Sequence, residues 1–337
     1  VALDDAAEAF AAPTDAGAII MGSILPSAQR LTSASIALQN AIIRYCLVQT
    51  TNARLDDVEE AFRAAIVAAG GIEPVAFGAG PNRSAPEELT TEVANTAFSR
   101  SRLEGIMNGR IRAPTTLPEL AAEGPGLTGL PALERLLLSP PYPEVETKAN
   151  RCRLALTVAA NVRATATEVE GRWRTGNLDP QWTTAEPELA DRLRLRDIIQ
   201  AMIDVSDRLD RTAAGFAADP GNNDNLPYAK HRSMTAYLEA VSGALIGQTD
   251  VLGRFAAPAS PAAETVARIA AALDQGREAL GGGNRAARRT ASELFDRARQ
   301  EIAQLPAVFD FAPAAFQRPL ASFEAVTTPA VPATPNP

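Results

Sequence analysis

A chain of 337 residues, 46% hydrophobic and 21% charged, is long enough for one large or two ordinary domains, each with its own buried core. Its net charge of −8 weighs against nucleic acid as a partner, since neutralising phosphates takes clustered Lys and Arg. One His and two Cys exclude HExxH, paired CxxC and Cys2His2 zinc sites, so any metal would rest on carboxylates, carbonyls and His231.

The chain opens at Val1, and its first apolar stretch, Ala18 to Leu25, is broken by Gly22 and Ser23. It shows neither a signal peptide nor a membrane span, but removal of a leader would leave the same appearance, so export is permitted. From Ser27 to about Gln49 the residues Leu31, Leu38, Ile42 and Tyr45 form a helical stripe. A second helix carries Leu55, Val58, Phe62 and Ile66 and is stopped by Gly70 and Gly71. Further helices are predicted over about 87–107, 147–171, 264–280 and 287–304. The strongest seams are Leu195, Ile198, Met202, Val205, Leu209, Thr212 and Phe216, then Met234, Leu238, Val241, Leu245, Gln248, Leu252 and Phe255. Gly/Pro-rich interruptions fall at 70–86, 108–131 and 217–227, lengths more often functional than accidental in a compact helical protein. A boundary near 171–190 divides two helical blocks of similar size, which would fit an old duplication. From Val326, prolines 329, 332, 335 and 337 mark an extended tail.

The reading is all-α: an N-terminal segment over 1–25, one bundle over 26–180, a second over 181–310 with a cleft between them, and a Pro-rich tail over 311–337. Only Lys148 and Lys230 among the 32 basic residues are lysines, which with abundant Ala reflects coding bias more simply than a recognition surface. Aromatics, at 5%, are too few for a stacking platform.

Most motif-like stretches have ordinary explanations. Gly124, Gly126 and Gly129 spell GxGxxG, but no strand precedes them and Pro125 lacks an NH, so a helix-entry loop is the better reading. Gly281 to Gly283 lack the Lys and Ser/Thr of a phosphate loop and read as a turn. Asp219 to Asn225 lack the order of a calcium loop. A single His and no GxSxG leave nucleophilic catalysis unsupported. Arg100, Arg102, Arg110 and Arg112 flank an irregular stretch; with Arg232 they would favour an anionic ligand, while their ordinary role is a solvated surface. The segment Gly129 to Leu138 (GLPALERLLL) is more specific: Pro131 suits a first helical turn, Leu130, Leu133 and Leu137 point inward, and Glu134 sits one step round from them. Alone, Glu134 would be a first-turn acid stabilised by the helix dipole.

That segment resembles the signature of the imelysin family, G-x-H-x-x-E followed by a leucine run, with Gly129 and Glu134 in place and Pro131 where the family has His. Ala41 to Cys46, Val75 to Gly78, Asn150 to Arg153 and Leu226 to Ser233 resemble further family elements, so the likeness covers most of residues 25–305. It implies two helical bundles with the signature facing their cleft, and an exported protein that is periplasmic or associated with the outer membrane. It also implies Tyr228, His231, Arg232 and Ser233 as second-domain site residues, with Ser233 equally readable as a helix N-cap. In such an exported protein Cys46 and Cys152 would form a bridge; two free buried thiols are the alternative. Proline offers no ligand or proton, and one carboxylate holds a metal poorly. The expected function is therefore a non-proteolytic envelope binding or accessory protein linked to the uptake of iron or another divalent metal, with an unknown small ligand, a metal or an envelope protein as its partner. The alternatives are a metallopeptidase with Glu134 and His231 as metal ligands, and a structural helical module.

Overall fold

The computed structural model describes residues 16–48, 54–74, 97–123, 127–138, 145–175, 187–218 and 231–311. The chain is all-α, and no strand occurs among the described residues. α1 (Ala16–Leu47) and α2 (Leu55–Gly70) form an antiparallel pair, and α1 lies along the long α6 (Val145–Thr175). Between them come α3 (Ala97–Met107), α4 (Leu117–Ala122) and α5 (Leu130–Leu133), the last running straight into one π-helical turn, Glu134–Leu138. All of these pack on α6. α7 (Pro187–Ala218), α8 (His231–Gly253), α9 (Pro261–Leu280) and α10 (Arg285–Ile302) pack in turn, α8 on α9, α9 on α10 and α10 on α7, with α11 (Leu305–Val308) closing the end.

α1 begins earlier than its stripe predicts. Ile20 and Ile24 are 2% and 0% exposed and extend the Leu31–Leu38–Ile42–Tyr45 face by two turns. The Ala18–Leu25 stretch is thus part of a packed helix, which runs through Pro26. α8 also begins earlier, at His231, so Ser233 is its third residue and not its N-cap. The caps of α9 and α10 are formed locally: Ser260 Oγ accepts from Ala263 N at 3.2 Å, and Asn284 Oδ1 accepts from Ala287 N at 2.9 Å. The triglycine is the α9–α10 turn, with Gly283 at φ 67°.

α2 is the main element shared between the two groups of helices, packing on α1, α5, the π turn and α8, with α1 also touching α8. Its approach to α8 is close enough to require glycine. A Cβ on Gly70 would lie 3.0 Å from the Ala240 Cβ and 3.2 Å from the Val241 Cγ2. No described helix is long and apolar enough to cross a membrane.

Candidate functional site

The signature-like segment is built from the inside of the molecule. Gly129 holds extended backbone (φ −107°, ψ −175°) before α5, and Pro131 occupies the first turn, where its missing NH leaves no bond unmade. Leu130, Leu133, Leu136, Leu137 and Leu138 are all at most 1% exposed. Glu134 is 0% exposed. The whole segment lies inside: residues 127–134 and 136–138 are buried and Arg135 is half-buried, so Glu134 is enclosed by the packing of the segment as a whole. The carboxylate is engaged there, not free.

Loosened turns leave main-chain carbonyls in need of donors, and α6 supplies them. Arg151 Nη1 donates to Leu136 O at 3.3 Å, Asn161 Nδ2 to Thr128 O at 3.3 Å, and Thr157 Oγ1 to Pro114 O at 3.1 Å. Lys148, 1% exposed, donates from Nζ to Val48 O at 2.6 Å and sits 3.8 Å from the centroid of the Tyr45 ring. Burial pushes the Lys148 ammonium below its usual value, and burial lifts the Tyr45 phenol, against the lowering effect of Arg151. Cys46 and Cys152 are disulfide-bonded, with Cα atoms 5.7 Å apart, and tie the end of α1 to the start of α6.

A second buried polar cluster joins the two groups of helices. Tyr237 Oη of α8 donates to Glu73 Oε2 at 3.1 Å, and Arg208 Nη1 of α7 lies 3.5 Å from the same oxygen. The Glu73 side chain is 2% exposed. Sequence reasoning missed this cluster because Glu73 lies in the irregular 70–86 stretch and Tyr237 lies on an otherwise apolar helix face. One signal was available: a lone acid between Ile72 and Pro74 immediately after a helix stop.

The other candidates are dispersed. Arg102 makes a two-pronged pair with Glu123 (2.6 and 2.5 Å), which occupies its guanidinium and raises its pKa, so it is not offered to an anion. Arg112 lies 3.7 Å from Glu119, and Arg110 is exposed. Arg232 is exposed and Ser233 is 8% exposed inside α8. Tyr228, Gly124 and Gly126, residues 219–225 and the Pro-rich tail lie outside the described residues, as do the side chains of Arg100 and His231. Among the described residues no three His, Cys, Asp or Glu side chains converge as a metal site would need. Pro131 brings no ligand atom to the signature, where Glu134 supplies one carboxylate.

The family model for imelysin, a peptidase family, matches residues 24–309. No curated protein matches the chain. The fold is similar to that of an imelysin-like protein from Psychrobacter arcticum 273-4, with a TM-score of 0.67 and 14% identity over 90% of this chain and 98% of that one. It is also similar to a structure named for an iron-regulated protein A precursor from Parabacteroides distasonis ATCC 8503, with a TM-score of 0.57 and 14% identity over 91% of this chain and 96% of that one. Since the family model spans nearly all of the described helices, the chain belongs to the imelysin family.

Proposed function

We propose that this chain is a binding or accessory protein of the cell envelope, with a role in the uptake of iron or another metal, and not a peptidase. The observation that carries this reading is the pairing of Pro131 with a fully enclosed Glu134 at the signature. Metal-assisted peptide hydrolysis needs a held ion, a polarised water and a positioned base. A proline and a carboxylate shut among leucines supply none of these to a substrate arriving from solvent. Two helical units, one of α1 to α6 and one of α7 to α11, meet through α2 and α8, and the Glu73–Tyr237–Arg208 cluster is their polar joint. The Cys46–Cys152 bridge supports an oxidising, exported setting. The name of the Parabacteroides structure supports the link to iron.

The test is metal analysis of protein purified without chelator, beside a Glu134→Gln variant and a peptidase assay on unfolded casein. We expect substoichiometric metal in both proteins and no cleavage. Stoichiometric metal that the variant loses, or cleavage that it abolishes, would overturn the reading. The iron link predicts that iron limitation raises the amount of this protein in its host; an unchanged amount would remove that part.

A further inference from the structure

Away from the signature, α1, α2 and α8 enclose a groove of about 720 Å3, and Gly129, Pro131 and Glu134 do not line it. Its floor is a stripe of small residues on α8: Ala240, Gly243, Ala244 and Gly247. A Cβ on Gly247 would meet nothing within 4 Å, and one on Gly243 would meet the Arg277 guanidinium at 3.5 Å. Glycine weakens a helix interior relative to alanine, and at Gly247 no neighbour among the described residues uses the room gained. Gly70 is the contrast, because there the helix packing itself excludes a side chain.

An independent observation points into the same groove. Gln248 lines it, is 4% exposed, and has an Oε1 with no hydrogen-bond partner. It stands in the apolar seam of α8, where an unpaired carboxamide is unfavourable unless something arrives to pair with it.

The register of the two helices orders the remaining groups. Glu73 meets Tyr237 and Gly70 meets Ala240, so α2 runs antiparallel to α8, and Arg63 lies beside Gly247 and Gln248 while Gly71 lies beside Glu239. Arg30 of α1, which donates to Ser27 Oγ at 2.8 Å, reaches the same groove. Glu60, one turn before Arg63, bounds the arginine end. From Ala240 to Gly247 the α8 backbone rises about 10 Å, the length of about three extended residues. In an extended chain the N–H and C=O of one residue point to the same side, and a carboxamide carries a matching acceptor and donor. A floor without side chains lets such a backbone lie close.

We infer that this groove binds a short zwitterionic peptide, about three residues long and extended. The Gln248 carboxamide pairs with one residue's N–H and C=O, the peptide carboxylate lies toward Arg63, and its ammonium toward Glu239. Glu239 also suits an incoming cation on separate grounds: burial lifts its carboxyl above the usual range, with Arg277 opposing.

Calorimetric titration of the full chain with unblocked trialanine tests this. The expected result is saturable one-to-one binding, at least tenfold weaker for trialanine acetylated and amidated at its ends. Gln248→Leu should weaken binding about tenfold, the worth of two neutral hydrogen bonds. Gly247→Leu should abolish it by filling the floor. Circular dichroism and the thermal midpoint report whether each variant is folded, and the two variants are read separately, so one that fails to fold leaves the other to decide. No saturable heat with unblocked trialanine at millimolar concentration would overturn the proposal. So would equal affinity for the blocked peptide, or a folded Gln248→Leu that binds like the parent.

Discussion

The helices of α7 to α10 and those around α6 solve the same packing problem with different chemistry. In α7 to α10, the second group along the chain, apolar seams run almost unbroken: Ile198, Met202, Leu209 and Phe216 on α7, and Ile269 and Leu273 on α9, are at most 1% exposed. Short turns and side-chain caps join α9 to α10, and the charges sit outside, as in the Arg299 cluster with Asp207, Asp210 and Asp296. Around α6, residues 108–138 contribute little regular helix, and polar side chains of α6 hold that segment by its carbonyls, with a disulfide behind them. Periodic sequence in this protein is held mainly by burial, with donors confined to its turns and outer face; the irregular segment is held by specific donors at its middle. Irregular backbone exposes carbonyls that no apolar contact can satisfy.

The sharpest way to break this contrast is to remove the bridge. Cys46→Ala combined with Cys152→Ala opens a loop of sequence separation 106 and should lower stability by about 4 kcal/mol in denaturant titration. Hydrogen exchange on the same protein should show lost protection in α1 and α6 before α9 and α10. Equal loss in all four helices would show that the two groups unfold as one unit, and the contrast would fail.

The next effect tests the other side. Leu273, 0% exposed in α9, should cost about 3 kcal/mol when replaced by Ala, from lost burial and the cavity left behind, as read by thermal unfolding. This part of the molecule was also the most legible in sequence. The seams of α7 and α8 are visible as threes and fours because burial alone selects the residues, and the Gly281–Gly283 turn follows from composition. The site was less legible. Glu134 reads as a first-turn acid stabilised by the helix dipole, and its enclosure comes from the packing of the whole 127–138 segment, which no local pattern announces. Gln248 was visible as a seam residue, but its missing partner depends on three helices that meet far apart in sequence. Glu73 and Tyr237 lie 164 residues apart, so no local window contains their bond.

A smaller effect separates donor from bulk around α6. Thr157→Val keeps shape and burial but removes the Oγ1 donor to Pro114 O, leaving that carbonyl unpaired. About 1 kcal/mol should be lost, with faster exchange at residues 115–120. A Val variant as stable as the parent would mean that the segment is held by its apolar contacts, as in the second group.

The smallest effect is expected at the surface charges of the second group. Arg299→Gln should cost less than about 1 kcal/mol and fade with added salt, as exposed ion pairs do. Its pH signature is more telling. The Asp210 carboxyl lies above its usual 3.8 because burial disfavours its charge; Asp296 adds to the rise and Arg299 opposes it. Between 3.8 and the raised value the native state keeps a proton that the unfolded chain has released, so stability falls as pH rises through that window. Without Arg299 the carboxyl moves higher, and the fall becomes deeper and extends to higher pH. Asp210→Asn in the same background should remove that contribution, which urea midpoints across the window can measure. If the slope survives Asp210→Asn, the charges of this face act through other carboxylates, and the apolar seams beneath them are then not the sole support of α7 and α10.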